Sequence, residues 1–112
     1  MLSFEEHAIA LRKLLNEFCE NVYPLVATEG TKYPFIIYQR SNGYDTGTKD
    51  GNLTYINYEV RIVTSTYADG LLLADKLRYA IRHNEPKGTL TGSSEDYTED
   101  GYIQTLYFMF VD

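Results

Sequence analysis

The chain has no tryptophan, one cysteine and three prolines among its 112 residues. A lone Cys19 excludes an internal disulfide. His7, Cys19 and His83 stand far apart and fit no zinc-ligand spacing. Basic residues are also few. Ten Lys and Arg, scattered along the chain, face sixteen Asp and Glu, for a formal net charge of -6. A DNA-binding module gathers cations on one face to displace counterions, so this balance argues against specific nucleic-acid binding. No run approaches the roughly 18 apolar residues of a membrane span. The first residues, MLSFEEHAIA, place acids where a secretory leader has a basic start and an apolar run. These absences predict a cytoplasmic protein with no membrane segment.

What is present suits a single domain over residues 1–112. Hydrophobic residues make up 44%, enough for one core and too many for global disorder. Eleven tyrosines are the unusual feature. Tyr suits half-buried strands, and it is also favoured at interfaces because it buries much area with few rotors.

Ser3 followed by Glu6 fits a capping box and predicts a helix from about Ser3 to Glu20. Its apolar stripe is Phe4, Ala8, Leu11, Leu15, Phe18 and Val22, with Arg12, Lys13, Asn16 and Glu17 on the wet face. Tyr23-Pro24 breaks it, a short extended piece follows at Leu25-Val26-Ala27, and Glu29 to Lys32 reads as a turn. Tyr33 to Arg40 reads as a strand, with Pro34 at its start. From Asn52 to Ser65 the even positions Thr54, Ile56, Tyr58, Val60, Ile62 and Thr64 alternate with Asn57, Glu59, Arg61 and Ser65, the pattern of an antiparallel strand with one buried face. A second helix spans about Tyr67 to His83, capped by Ser65 or Thr66 and stopped before Pro86. Gly70, Leu73, Ala74, Leu77 and Ile81 form its stripe, broadened by Leu71 and Leu72. Weak strand signals surround Leu90. Tyr102 to Val111 is the last strand, apolar on both faces, which places it centrally or at an oligomer interface. The expected fold is α+β, order α-β-β-α-β-β: two helices on one face of a mainly antiparallel sheet, with a long hairpin between the central strands.

The hairpin connection SNGYDTGTKDGN, residues 41–52, is polar and rich in glycine. It resembles a calcium loop only faintly. Counted from Asp45, position 3 is Gly47, position 5 is Lys49 and position 12 is Ile56, where an EF-hand needs oxygen ligands. No G-x-S-x-G elbow and no phosphate-binding glycine loop occur. His7 beside acids at a helix start reads as a solvated surface histidine, His83 as a partner of the helix dipole, and Cys19 as packed. The acid pairs Glu5/Glu6, Glu95/Asp96 and Glu99/Asp100 fall at helix starts or turns, where acids cap or stay solvated. No enzyme signature, metal site or cofactor site is expected.

The pattern as a whole resembles the tail-completion, or tail-terminator, proteins that join head to tail in long-tailed phages. The resemblance covers nearly the full chain. It rests on the amphipathic first helix, Val22-Tyr23-Pro24, the entry Tyr33-Pro34-Phe35-Ile36-Ile37-Tyr38, the strand Tyr58 to Thr64 leading through Ser65 to Asp69 into the second helix, and the closing Gln104-Thr105-Leu106-Tyr107-Phe108. The family often has the Tyr-Pro pair followed by aliphatics at its first strand. This chain departs from it in its tyrosine load and in a short segment after the second helix. The resemblance implies a non-enzymatic prophage or phage protein that forms a ring, typically a hexamer, on the head-proximal end of the tail tube. Partners would be other copies of itself, the tail tube protein and head–neck connector proteins. Location would be the host cytoplasm during assembly, then the virion tail. Residues 41–52 become a flexible hairpin tip ordered by a partner, and Tyr44, Asp45, Thr48, Lys49, Asp50, Tyr107 and Met109 the expected interface. Two alternatives stand beside it: a head–neck connector component, and a small ligand-binding or hydrolytic domain with Asp45, Asp50 or Glu59 near a pocket.

Overall fold

The computed structural model describes residues 3–48 and 51–111, with backbone only at 48, 51 and 52. Lys49 and Asp50 lie outside the described residues. Helix α1 spans Phe4–Asn16. Its capping box is formed: Ser3 Oγ accepts from the Glu6 N–H at 3.1 Å, and the Ser3 N–H donates to Glu6 Oε1. The helix stops four residues before the expected Glu20, because the chain must turn there into a strand. The N–H groups of Phe18 and Cys19 both bond to the Leu15 carbonyl in closing it.

That strand, β1 (Asn21–Pro24), runs parallel to β2 (Phe35–Thr48). It corrects the expected order to α-β-β-β-α-β-β and makes the sheet mixed. It also replaces the extended piece expected at 25–27. Then follow β3 (Gly51–Thr64), helix α2 (Tyr67–His83), β4 (Thr89–Thr98) and β5 (Gly101–Val111). The spatial order is β1-β2-β3-β5-β4, antiparallel at every pairing except β1–β2. The last strand is thus interior, as its two-sided apolar sequence predicts, and β4 forms an edge.

Helix α2 has the expected bounds, with Thr66 Oγ1 as N-cap accepting from the Asp69 N–H. It packs on β3 and β5. Gly70 permits the close approach: a Cβ there would lie 3.0 Å from Thr64 Oγ1 and 3.3 Å from Gln104 Cγ. Ala74, Leu77, Ala80 and Ile81 are buried, whereas Leu71 and Leu72 stay exposed and do not broaden the stripe. On α1, Leu11, Leu14 and Leu15 are buried. Each such leucine contributes about 1.5–3 kcal/mol relative to exposure. The two helices cover one face of the sheet, meeting Ile36, Ile56, Val60, Ile62, Phe108 and Phe110.

His7 overturns the surface reading. It is 2% exposed, stacked near Tyr58 with centroids 5.5 Å apart and edge-on to Phe110 at 4.6 Å. The helix turns that residue onto the sheet, while Phe4, first in the expected stripe, sits at the rim under the Arg40 guanidinium.

The described part of the expected hairpin connection, residues 41–48 and 51–52, is strand and not loop. β2 runs through Thr48 and β3 resumes at Gly51. The ladder slips between Arg40 and Asn42, leaving Ser41 as a bulge. β5 accompanies β3 only from Tyr55 onward, so beyond it β2 and β3 continue as a two-stranded arm, with Asp45 opposite Thr54 and Thr48 opposite Gly51. The arm contributes to an elongated shape, 49 × 23 × 22 Å.

A candidate assembly surface

Alternation along β3 sorts the sheet into two faces. Even positions from Thr54 to Thr64 turn to the helices and are buried. Odd positions Tyr55, Asn57, Glu59 and Arg61 are half-buried on the other face, which no helix covers. Cross-strand register extends that face onto β5: Tyr55 stands opposite Val111, Asn57 opposite Met109, Glu59 opposite Tyr107. After the bulge it takes in Tyr44, opposite Tyr55. Three of the expected interface residues, Tyr44, Tyr107 and Met109, therefore share one open surface.

The remaining expected residues divide differently. Asp45 belongs to the helix-side parity, where its Oδ1 accepts from Thr54 Oγ1 at 2.7 Å. Thr48 ends β2 by pairing with Gly51. Lys49 and Asp50, named in the same set, fall outside the described residues. Asp45 and Glu59 project from opposite faces, so they do not converge on one pocket. Among the described residues no group of three or more His, Cys, Asp or Glu is placed to hold a metal ion, and no helix is long and apolar enough to cross a membrane.

The other end of the open face holds a groove of about 550 Å³. Phe35, Ile37, Val63 and Ile103 supply apolar surface, and Arg61 sits among them. The segment after β1 forms one wall. Leu25 turns the chain with φ 66°, a left-handed conformation that costs a branched residue about 1–3 kcal/mol. Its N–H is held by the Tyr38 carbonyl at 2.9 Å. The opposite rim is the β4–β5 turn, tied down where the Tyr33 hydroxyl donates to the Asp100 carbonyl. Sequence reasoning missed this groove, because it depends on β1 and on the left-handed Leu25, neither of which leaves a periodic signal.

The acids of β4 are structural or solvated in this arrangement. Glu95 accepts from Gln104 Nε2 at 3.0 Å and from the Tyr67 hydroxyl at 2.9 Å. These donors, Gln104 first, hold its carboxyl below the usual carboxylate range, and the same carboxylate raises the Tyr67 phenol. Asp96 Oδ1 accepts from the Tyr97 N–H. Cys19 is packed, as expected. Its Sγ lies 3.3 Å from the Pro34 carbonyl, and burial pushes its thiol up. His83 ends α2 with its ring 4.2 Å from that of Tyr79, at the mouth of a second cleft, of about 650 Å³, between α2 and β4.

Compared with protein-family models and with curated proteins, the chain matches none.

Proposed function

We propose that the chain is a structural assembly protein of a phage or prophage, a ring-forming tail terminator that caps the tail tube and joins it to the head. The observation that carries this reading is the separation of two unlike surfaces. A projecting aromatic arm stands at one end of the sheet, and an open face leading to an apolar groove lies toward the other. A closed ring requires a heterologous contact, two different patches on each subunit, and a subunit with unlike ends meets that need. The likeness of the element order and the Tyr33-Pro34 entry to tail-completion proteins points the same way. In this role the chain has no catalytic residue and no cofactor. It acts in the host cytoplasm during assembly and then in the virion tail.

The test is solution mass by light scattering over a wide concentration range, with negative-stain images of the same samples and of mixtures with tail tube protein. Rings of about six subunits with a central hole are expected. A chain that stays monomeric at every concentration, and also beside tube and connector proteins, overturns the reading. Rings that bind a connector but no tube move the protein to the head–neck junction.

A further inference from the structure

The ring reading leaves open which surface meets which. We propose that the groove beside Leu25 and Val26 receives the β2–β3 arm of a neighbouring copy of this chain, with Arg61 taking an arm carboxylate. This deepens the ring reading and rests on it.

Three features of the groove call for an occupant. Leu25 and Val26 are 63% and 75% exposed although the backbone is held in a strained turn to place them there. Exposed aliphatics on a built wall are a contact surface rather than a core. The floor between them and Ile103 is apolar. Arg61 Nε is buried there with no hydrogen-bond partner, and no ion pair joins it to an acid among the described residues. A guanidinium presents five donors in a planar fork suited to a carboxylate, so an acidic group from outside completes it.

The arm has the matching chemistry. Tyr44 and Leu53 are exposed on it, at 44% and 43%. Asp45 is exposed, and among the described residues only its Oδ1 is engaged, by Thr54. A two-stranded ribbon beyond its sheet shows both faces, so tyrosine and aspartate can enter one groove together. Glu29, Glu99 and Asp100 also line the groove, so Arg61 is its one cation among the described residues. The arm cannot serve its own groove. Leu53 and Val63 lie on one continuous strand, roughly 30 Å apart at 3.3 Å per residue. A second copy must supply the arm, head to tail.

Leu53 and Val26 are both exposed, so a full-length chain carrying Leu53→Cys and Val26→Cys tests the contact by mild oxidation, with the buried Cys19 left in place. A ladder of covalent multimers on a denaturing gel is expected from the double variant, and at most dimers from either single one. Val26→Asp, which leaves the melting temperature unchanged, should raise the concentration needed for assembly at least tenfold, and Arg61→Met should raise it as well. Wild-type rings without the ladder, or rings indifferent to Val26→Asp, overturn the groove contact and leave the ring standing. A ladder that ends at closed dimers supports the contact and overturns the ring. A monomeric wild type with no cross-link at any concentration overturns both. Cross-linking of Val26→Cys to tube protein in place of the arm gives the groove to a different occupant and overturns self-docking.

Discussion

The ring of Tyr44 lies flat against that of Tyr55, centroids 5.1 Å apart and planes 12° from parallel. The two residues are direct cross-strand partners at the base of the arm. Such a pair contributes about 0.2–1 kcal/mol. Tyr44→Ala should therefore cost less than about 1 kcal/mol in urea unfolding. Its effect on assembly, read by light scattering, should be far larger. Equal small effects on both would remove Tyr44 from the interface.

His7 packs between Tyr58 and Phe110 under the first turns of α1. Truncation to alanine leaves a hole that neighbouring rings cannot fill. His7→Ala should cost about 2–4 kcal/mol in urea or thermal unfolding. A loss below about 0.5 kcal/mol is what an exposed position gives, and would contradict the burial.

The Glu95 carboxyl is held below its ordinary value by Gln104 and Tyr67. A lowered folded value means that the unfolded chain binds the proton first as pH falls. The contribution is complete above the unfolded value, near 4.5, and is lost as pH drops toward the folded one. Thermal melts from pH 7 to pH 3 should show Glu95→Gln with a shallower acid limb than wild type. Parallel limbs would show that these two hydrogen bonds contribute nothing to stability.

Gly88 abuts the sheet below the end of α2. A Cβ there would come within 2.6 Å of Phe110 Cε1 and 3.0 Å of Ile81 Cγ2, both on fully buried side chains. Neither neighbour has room to retreat. Gly88→Ala should destabilise the fold by about 1–3 kcal/mol, seen as a lower urea midpoint with unchanged slope. Unchanged stability would mean that the segment 84–88 shifts freely.

The parts legible in the sequence were those with local causes. Ser3 and Glu6 cap α1, Thr66 caps α2, Pro86 follows its end, and the alternation through Thr54 to Thr64 gives β3 and its buried face. The parts missed have distant causes. β1 is four residues long, too short for a period, and exists because Asn21 to Pro24 finds a parallel partner at Phe35 to Tyr38. β4 is mostly exposed, so Thr89 to Thr98 shows no alternation, and β5 supplies its ladder. The polar run from Ser41 carries turn residues at Asn42-Gly43, yet backbone bonds across to β3 hold it extended. His7 reads as wet beside Glu5 and Glu6, and only the rings of β3 and β5 bury it. For the surface, Tyr107 and Met109 were legible as part of the last strand, whereas Tyr44 was expected in the hairpin connection and lies on β2. Arg61 was not legible as a groove residue, because a lone arginine on a strand carries no sign that its Nε will be buried.

The bulge at Ser41 sets the phase of everything beyond it. Side chains on β2 alternate with a period of two, so one inserted residue reverses which parity faces which way. Before Ser41 the even positions Ile36 and Tyr38 point to the helices; after it the odd positions Gly43 and Asp45 take that side. Tyr44 reaches the open face for this reason alone. Were the ladder to run on from Arg40 without the slip, Tyr44 would fall opposite Thr54 on the helix side and Asp45 opposite Leu53 on the open one. One unpaired residue thus decides that the arm shows an aromatic rather than an acidic side along the open face.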